Sequence, residues 1–178
     1  DSINSQQVFR ALAQFTGELI SVNSPYDQYQ RGNTRALTAD QIQGLLVFKT
    51  KCGSCHQPGL FTDHSFRNNG LDHEYTRRDA GRQFVTHGPA DAGKFKVPSL
   101  RNVALSAPYM HDGRFQTLAQ VLEHYDNGVK PSATLDPVFA GDSPGLALTS
   151  TEKTQILAFL EALTDPEFIS DPRFADPF

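Results

Sequence analysis

The sequence predicts an all-α fold interrupted by one long irregular segment. Three observations carry this expectation. Four stretches place apolar residues at helical spacing, three of them open on a Thr-x-x-Gln or Thr-x-x-Glu box, and no stretch alternates apolar and polar residues as a half-buried strand does. In the first stretch Val8, Ala11, Leu12, Phe15 and Leu19 fall at i, i+3, i+4, i+7 and i+11, an apolar stripe that Asn23-Ser24-Pro25 ends. The second begins at the Thr38/Gln41 box, sets Ile42, Leu45 and Leu46 on one face and runs directly into Cys52. The third begins at Thr117/Gln120 and carries Leu118, Val121, Leu122 and Tyr125 until Asn127-Gly128 stops it. The fourth starts at Thr149/Glu152, carries Ile156, Leu157, Phe159, Leu160 and Leu163, and closes at Pro166.

Composition narrows what such a chain does. Its 178 residues suit one domain with a proper core, since domains run to roughly 100–200 residues. Thirteen Phe among 38% hydrophobic residues exclude disorder as the main state. No run approaches the roughly 18 apolar residues of a membrane span. A net charge of −4, without a Lys/Arg stripe, leaves no footprint for nucleic acid. Residues 1–165 read as the domain and 166–178, with Pro166, Pro172 and Pro177, as an extended tail over its surface. The chain opens on Asp1-Ser2 without an initiator Met or an apolar leader, as a processed or trimmed chain does, so an export signal is not visible.

The two cysteines are too few and too close for a disulfide scaffold. They stand in Cys52-Gly53-Ser54-Cys55-His56, a C-x-x-C-H run, the attachment signature of a c-type haem. Two thiols at this spacing add across the two vinyl groups of haem, and the adjacent imidazole reaches the iron as proximal ligand. A thioredoxin-like redox pair would want a βαβ setting that is missing here. A zinc site would need a second pair of ligands, for which His64 and His73 are the residues on offer. The segment from Cys52 to Phe115 is rich in Gly, Pro, Asn and Asp and holds Phe61, Phe66, Phe84 and Phe95. A loop of that length needs an organiser, and a large flat apolar cofactor is one, with the loops wrapped around it. Haem is attached outside the cytoplasm, which makes the expected location the periplasm.

Beyond the motif, Lys94-Phe95-Lys96-Val97-Pro98-Ser99-Leu100-Arg101-Asn102-Val103-Ala104-Leu105 leads into Ser106-Ala107-Pro108-Tyr109-Met110-His111-Asp112-Gly113. This run resembles the signature of the bacterial di-haem cytochrome c peroxidase and MauG family. Asn23-Ser24-Pro25-Tyr26-Asp27, Phe61-Thr62-Asp63 and Phe66-Arg67-Asn68-Asn69-Gly70 are similar to it as well. The resemblance implies a cytochrome c-like domain corresponding to the C-terminal, electron-transfer half of that family. The N-terminal peroxidatic half, with its own haem motif, is absent from this chain.

Iron has a second axial site, and Met110, His111, His124 and Tyr125 are the candidates for it. With Leu118 at 0° and about 100° per residue, Val121, Leu122 and Tyr125 fall near 300°, 40° and 340°, whereas His124 falls roughly 120° off that face. Tyr125 on this face is either a ligand or a core tyrosine with its hydroxyl bonded elsewhere. The resemblance adds that a Met in this helix ligates the haem in the peroxidase branch and a Tyr does so in MauG-like members, and His124-Tyr125-Asp126-Asn127-Gly128 follows the Tyr pattern. A phenolate favours ferric iron, so the potential should lie below that of a His/Met centre. Met110 falls in a turn where the family has no ligand. His111 matches a histidine near the family's haem and domain interface and is the one residue offered for catalysis; as a turn histidine bonded to backbone it carries equal weight.

Arg101 and Lys96 are offered as partners of the haem propionates, against the alternative of solvated charges. The resemblance also implies a calcium ion between the two domains, with Ser106 and Pro108 at the matching carbonyls. His64, His73 and His87 read as exposed loop residues, and Asp79-Ala80-Gly81-Arg82 as a turn. Three functions compete. One is an electron-transfer domain that takes electrons from a small cytochrome or cupredoxin and relays them to a peroxidatic haem reducing hydrogen peroxide. The second is a MauG-like oxidase storing oxidising equivalents, and the third a free-standing single-haem carrier.

Overall fold

The structure is a computed structural model describing residues 3–76, 79–141 and 144–176; Pro177 lies outside these residues. Helix α1 (Ser5–Glu18) starts on Asn4, whose side chain accepts the Gln7 amide while the Gln7 side chain accepts the Asn4 amide. The predicted apolar stripe forms here without being buried: Phe9 is 68% exposed and Phe15 52%. The helix meets the C-terminal segment through an edge-on contact of Phe15 with Phe174. Ser24-Pro25, read as a stop, is also a start. Ser24 caps α2 (Pro25–Gln30), and Pro25 stands at a first-turn position where a missing N–H does no harm.

Helix α3 (Ala39–Lys51) opens on the Thr38/Gln41 box as expected and ends with Cys52 as its cap. The irregular segment that follows contains strand β1 (Phe66–Arg67), a short helix α4 (Gln83–Thr86) and strand β2 (Phe95–Lys96). The two strands pair antiparallel, Phe66 with Lys96 and Arg67 with Phe95, so the expectation of an all-α chain is corrected to a mainly helical chain with one small ribbon. Two-residue strands have no period to read in a sequence. The ribbon is extended by Val97 N–H donating to the Ser65 carbonyl at 2.9 Å and by the Thr62 hydroxyl donating to the Val97 carbonyl at 2.6 Å.

Helix α5 (Leu118–Glu123) starts on the predicted Thr117/Gln120 box and passes into a π-helical turn over His124–Gly128. Helix α6 (Ser150–Glu161) starts on the Thr149/Glu152 box. The expected extended tail is corrected too. Asp165 caps α7 (Pro166–Ile169), and Asp171 caps a 3-10 turn over Pro172–Phe174. Asp-Pro is read twice here as cap and first helical residue, whereas the prolines alone read as extended chain.

Four rings from different segments make the centre of the core: Tyr26 of α2, Phe48 of α3, Phe61 of the loop and Phe159 of α6. Their centroids are 5.0–6.0 Å apart, within the range where edge-on and tilted pairs attract. Helices α3 and α6 cross so closely at Gly44 that a Cβ there would stand 1.9 Å from the Gln155 carbonyl oxygen. This crossing sets where α3 ends, and so where Cys52 lies. Among the described residues, no helix is long and apolar enough to cross a membrane.

Candidate functional site

The site grows from the end of α3. Cys52 N–H still donates to Phe48, completing the helix, and the Cys52 carbonyl then accepts from Cys55 N–H at 3.2 Å and His56 N–H at 3.0 Å. This single turn brings the two sulfurs and the imidazole together. Asp63 N–H donates to the Cys55 carbonyl at 2.9 Å and folds the following loop back over the motif.

His56 Nδ1 lies 2.8 Å from the Phe61 carbonyl. A carbonyl only accepts, so Nδ1 carries the proton, and in the neutral ring the lone pair lies on Nε2, the nitrogen able to ligate a metal; the Pro98 carbonyl is a second acceptor at the ring. Burial pushes the His56 pKa down against the opposing pull of that carbonyl, which also favours the neutral, ligating imidazole. Phe61 is fully buried with φ +54°, so the carbonyl that orients His56 is fixed by the aromatic core. Burial pushes the Cys52 thiol up to about 12 and raises that of Cys55. The thioredoxin-like alternative lacks its βαβ setting, since the two described strands pair only as an antiparallel ribbon. His64 bonds toward Lys96 and His73 toward the Pro131 carbonyl, and no group of three or more His, Cys, Asp or Glu side chains among the described residues is gathered to hold a metal ion. The zinc alternative loses its ligands.

Tyr125 comes from the π-helical turn. Its ring stacks on Phe139 at 5.5 Å and 11°, and its hydroxyl oxygen accepts from Asn69 Nδ2 at 3.3 Å. Burial raises the phenol pKa most, Asn69 lowers it, and Cys52 and Cys55 lie near enough to raise it further. His124, expected off the buried face, is only 6% exposed, and its Nε2 lies 3.0 Å from the Asn69 carbonyl. Its side of the helix is covered by the Asn69 carbonyl and the Phe115 ring, which the loop and the turn before α5 bring over it.

The remaining expected residues sit elsewhere. Arg101, offered to a propionate, instead grips Asp27 through both terminal nitrogens at 2.8 and 2.9 Å and donates through Nε to the Gly59 carbonyl. This is a brace between α2 and the segment leading to Val103. Lys96 is exposed and reaches His64 at 3.3 Å. Met110 Sδ accepts from Asn69 at 3.4 Å. His111 stacks on Phe95 at 3.6 Å and bonds Asp79 at 2.8 Å, clear of the motif's hydrogen bonds. Ser106 and Pro108 are exposed, and the Ser106 hydroxyl donates to Val103. His87 is exposed and ends α4. A cleft of about 400 Å³ lies between Arg114, Phe115, His124 and Lys130, but no residue of the Cys52–His56 motif lines it.

Two residues that do act at the site were not singled out from the sequence. Arg67 pairs with Asp63 and Asp136 and donates to the Ser54 carbonyl, tying the ribbon to the motif. Asn69 bridges Tyr125, Met110 and His124. Both belong to the Phe66–Gly70 run, whose form was noticed and whose contacts only the fold reveals. Two thiols three residues apart on one turn, followed directly by an imidazole oriented through Nδ1, fit a covalently attached haem.

No family model matches the chain. Cytochrome-c peroxidase IdrP2 of Denitromonas iodatirespirans is 32% identical over 99% of this chain and 54% of its own length. Methylamine utilization protein MauG of Methylorubrum extorquens is 33% identical over 97% of this chain and 48% of its own. The crystal structure of a MauG-like protein associated with microbial copper homeostasis superposes with a TM-score of 0.87 at 33% identity, covering 99% of this chain and 62% of that one. The chain thus spans about half the length of the curated relatives it matches. On the motif and these likenesses together, the chain belongs to the family of cytochrome c peroxidases and MauG proteins.

Proposed function

We propose that this chain is a cytochrome c-like electron-transfer domain, the C-terminal haem half of a periplasmic di-haem peroxidase. The observation that carries the reading is the single turn at the end of α3 that gathers Cys52, Cys55 and His56, with the imidazole held through Nδ1 by the Phe61 carbonyl. When bound, haem c supplies a one-electron ferric/ferrous couple. Cys52 and Cys55 would hold it covalently, and His56, its ring fixed by the Phe61 carbonyl, and Tyr125 would be the side chains that ligate its iron. A site closed on both sides suits relay, because peroxide needs an open position. Residues 1–165 form this domain. The apolar stripe of α1, with Phe9 and Phe15 exposed, supports packing against a second, peroxidatic domain. Electrons would come from a small cytochrome or cupredoxin. Calcium between the domains, at the Ser106 and Pro108 carbonyls, would draw its other donors from that second domain.

Tyr125 favours a second reading, a MauG-like oxidase, since an anionic phenolate stabilises the oxidised state. In both readings the holo-chain by itself takes up and returns one electron per haem and shows no hydrogen peroxide turnover above that of free haem. Stopped-flow measurement with a ferrocytochrome donor checks this. Sustained turnover by the 178-residue holo-chain alone would contradict the relay role.

A further inference from the structure

We propose that Asn69 is a positioning residue for Tyr125, its side-chain amide holding the phenol oxygen and setting how much charge that oxygen donates to iron. The proposal rests on the reading of Tyr125 as an iron ligand. Three contacts carry it. Asn69 Nδ2 lies 3.3 Å from the Tyr125 oxygen and 3.4 Å from Met110 Sδ. A thioether sulfur only accepts, so the atom facing both is the NH₂ end of the amide and a donor. On the other side the Asn69 carbonyl accepts from His124 Nε2 at 3.0 Å, tying its backbone to the very turn that presents Tyr125.

The neighbours of Asn69 are equally fixed. Asn68 is fully buried, donates to the Ser132 and Thr134 hydroxyls at 3.0 and 2.8 Å, and accepts from Gly70 N–H and the Tyr75 hydroxyl. Gly70 has φ +68°, and a Cβ there would stand 2.6 Å from Val129 and 2.9 Å from the Lys130 carbonyl oxygen. The amide is thus presented by a preorganised loop, as groups that orient metal ligands are. A hydrogen bond donated to a phenolate withdraws charge from it, weakens its preference for ferric iron and raises the potential.

The test uses the holo-chain with Asn69→Ala and Asn69→Asp, the second keeping the side chain's size while losing the donor. Resonance Raman of the ferric protein reads the iron-bound tyrosinate modes, and redox titration reads the midpoint. In both variants the tyrosinate modes shift, and the ferric form gains about tenfold over the ferrous, a fall of about 59 mV for a one-electron couple. In a Tyr125→Phe background Asn69→Ala produces no further fall. An unmoved midpoint in both variants, or a fall that persists without the Tyr125 hydroxyl, overturns the proposal while leaving Tyr125 as a ligand. Absence of tyrosinate modes from the unmodified protein overturns the ligation itself and the proposal with it.

Discussion

Gly44→Ala is expected to destabilise the protein by about 2 kcal/mol or more, although it replaces the poorest common helix former with the best. The propensity gain in α3 is at most about 1 kcal/mol. Against it stands the crossing with α6, where the new Cβ would meet the Gln155 carbonyl oxygen at 1.9 Å, its carbon at 2.6 Å and Phe159 Cβ at 2.9 Å. Backbone atoms of a packed helix cannot swing aside as a flexible side-chain end can, so the strain lies at the upper end of the roughly 1–3 kcal/mol typical of overpacking. Separating the helices also shifts Cys52, so the yield of haem-loaded protein should fall alongside stability. Urea unfolding of the two proteins at equal haem loading checks this, and an alanine variant as stable as the parent would mean that the helices do not cross at this distance.

Asp27→Ala is expected to cost about 3–5 kcal/mol, the usual penalty for stranding one partner of a buried ion pair. The side chains of Asp27 and Arg101 are only 11% and 12% exposed. The carboxylate also accepts from the Ser24 hydroxyl at 2.7 Å and the Ser24 amide at 3.0 Å, so its removal takes away half of the α2 capping box and the carboxylate paired with Arg101 together, leaving Arg101 its bond to the Gly59 carbonyl. Replacing both Asp27 and Arg101 by leucine should cost less than Asp27→Ala, because no charge is then left stranded. Burial would raise the Asp27 pKa, but the bonds from Arg101 and Ser24 outweigh it and hold the carboxyl below the ordinary carboxylate range. Its contribution is therefore fully present above the unfolded-state value, near pH 4, and is lost as the pH falls through the lower folded-state value. In thermal melts the gap between the parent and Asp27→Ala should stay constant from pH 7 to about 4 and narrow as the pH is lowered further; a gap that never narrows would show that the carboxylate is not what Arg101 stabilises.

Local rules were legible wherever local physics decides. The boxes at Thr38, Thr117 and Thr149 each cap a helix, and the Cys52–His56 run stands at the end of α3 as its spacing requires. Tertiary choices were not. The α1 stripe has the periodicity of a buried face, yet periodicity does not say what covers it. The 3.6 period sets His124 on the side away from Leu118, but periodicity does not reveal that Asn69 and Phe115 cover that side too. Arg101 has the chemistry to hold a propionate, but chemistry does not choose between partners, and Asp27 is the one the fold brings within 2.8 Å. Asn69 could be suspected only from its place between Asn68 and Gly70, and its role depends on Tyr125 and His124, some 55 residues away in sequence.

On the proposed reading, Cys52 and Cys55 bind one haem covalently and His56 ligates it. Acid–acetone treatment of denatured holo-protein, followed by a pyridine haemochrome spectrum, tests it most directly. The pigment should stay with the polypeptide and show the spectrum of a haem with both vinyl groups saturated, and the Cys52→Ser, Cys55→Ser double variant should lose it. Pigment that passes into the organic phase from the unmodified protein, or remains with the double variant, would contradict the account.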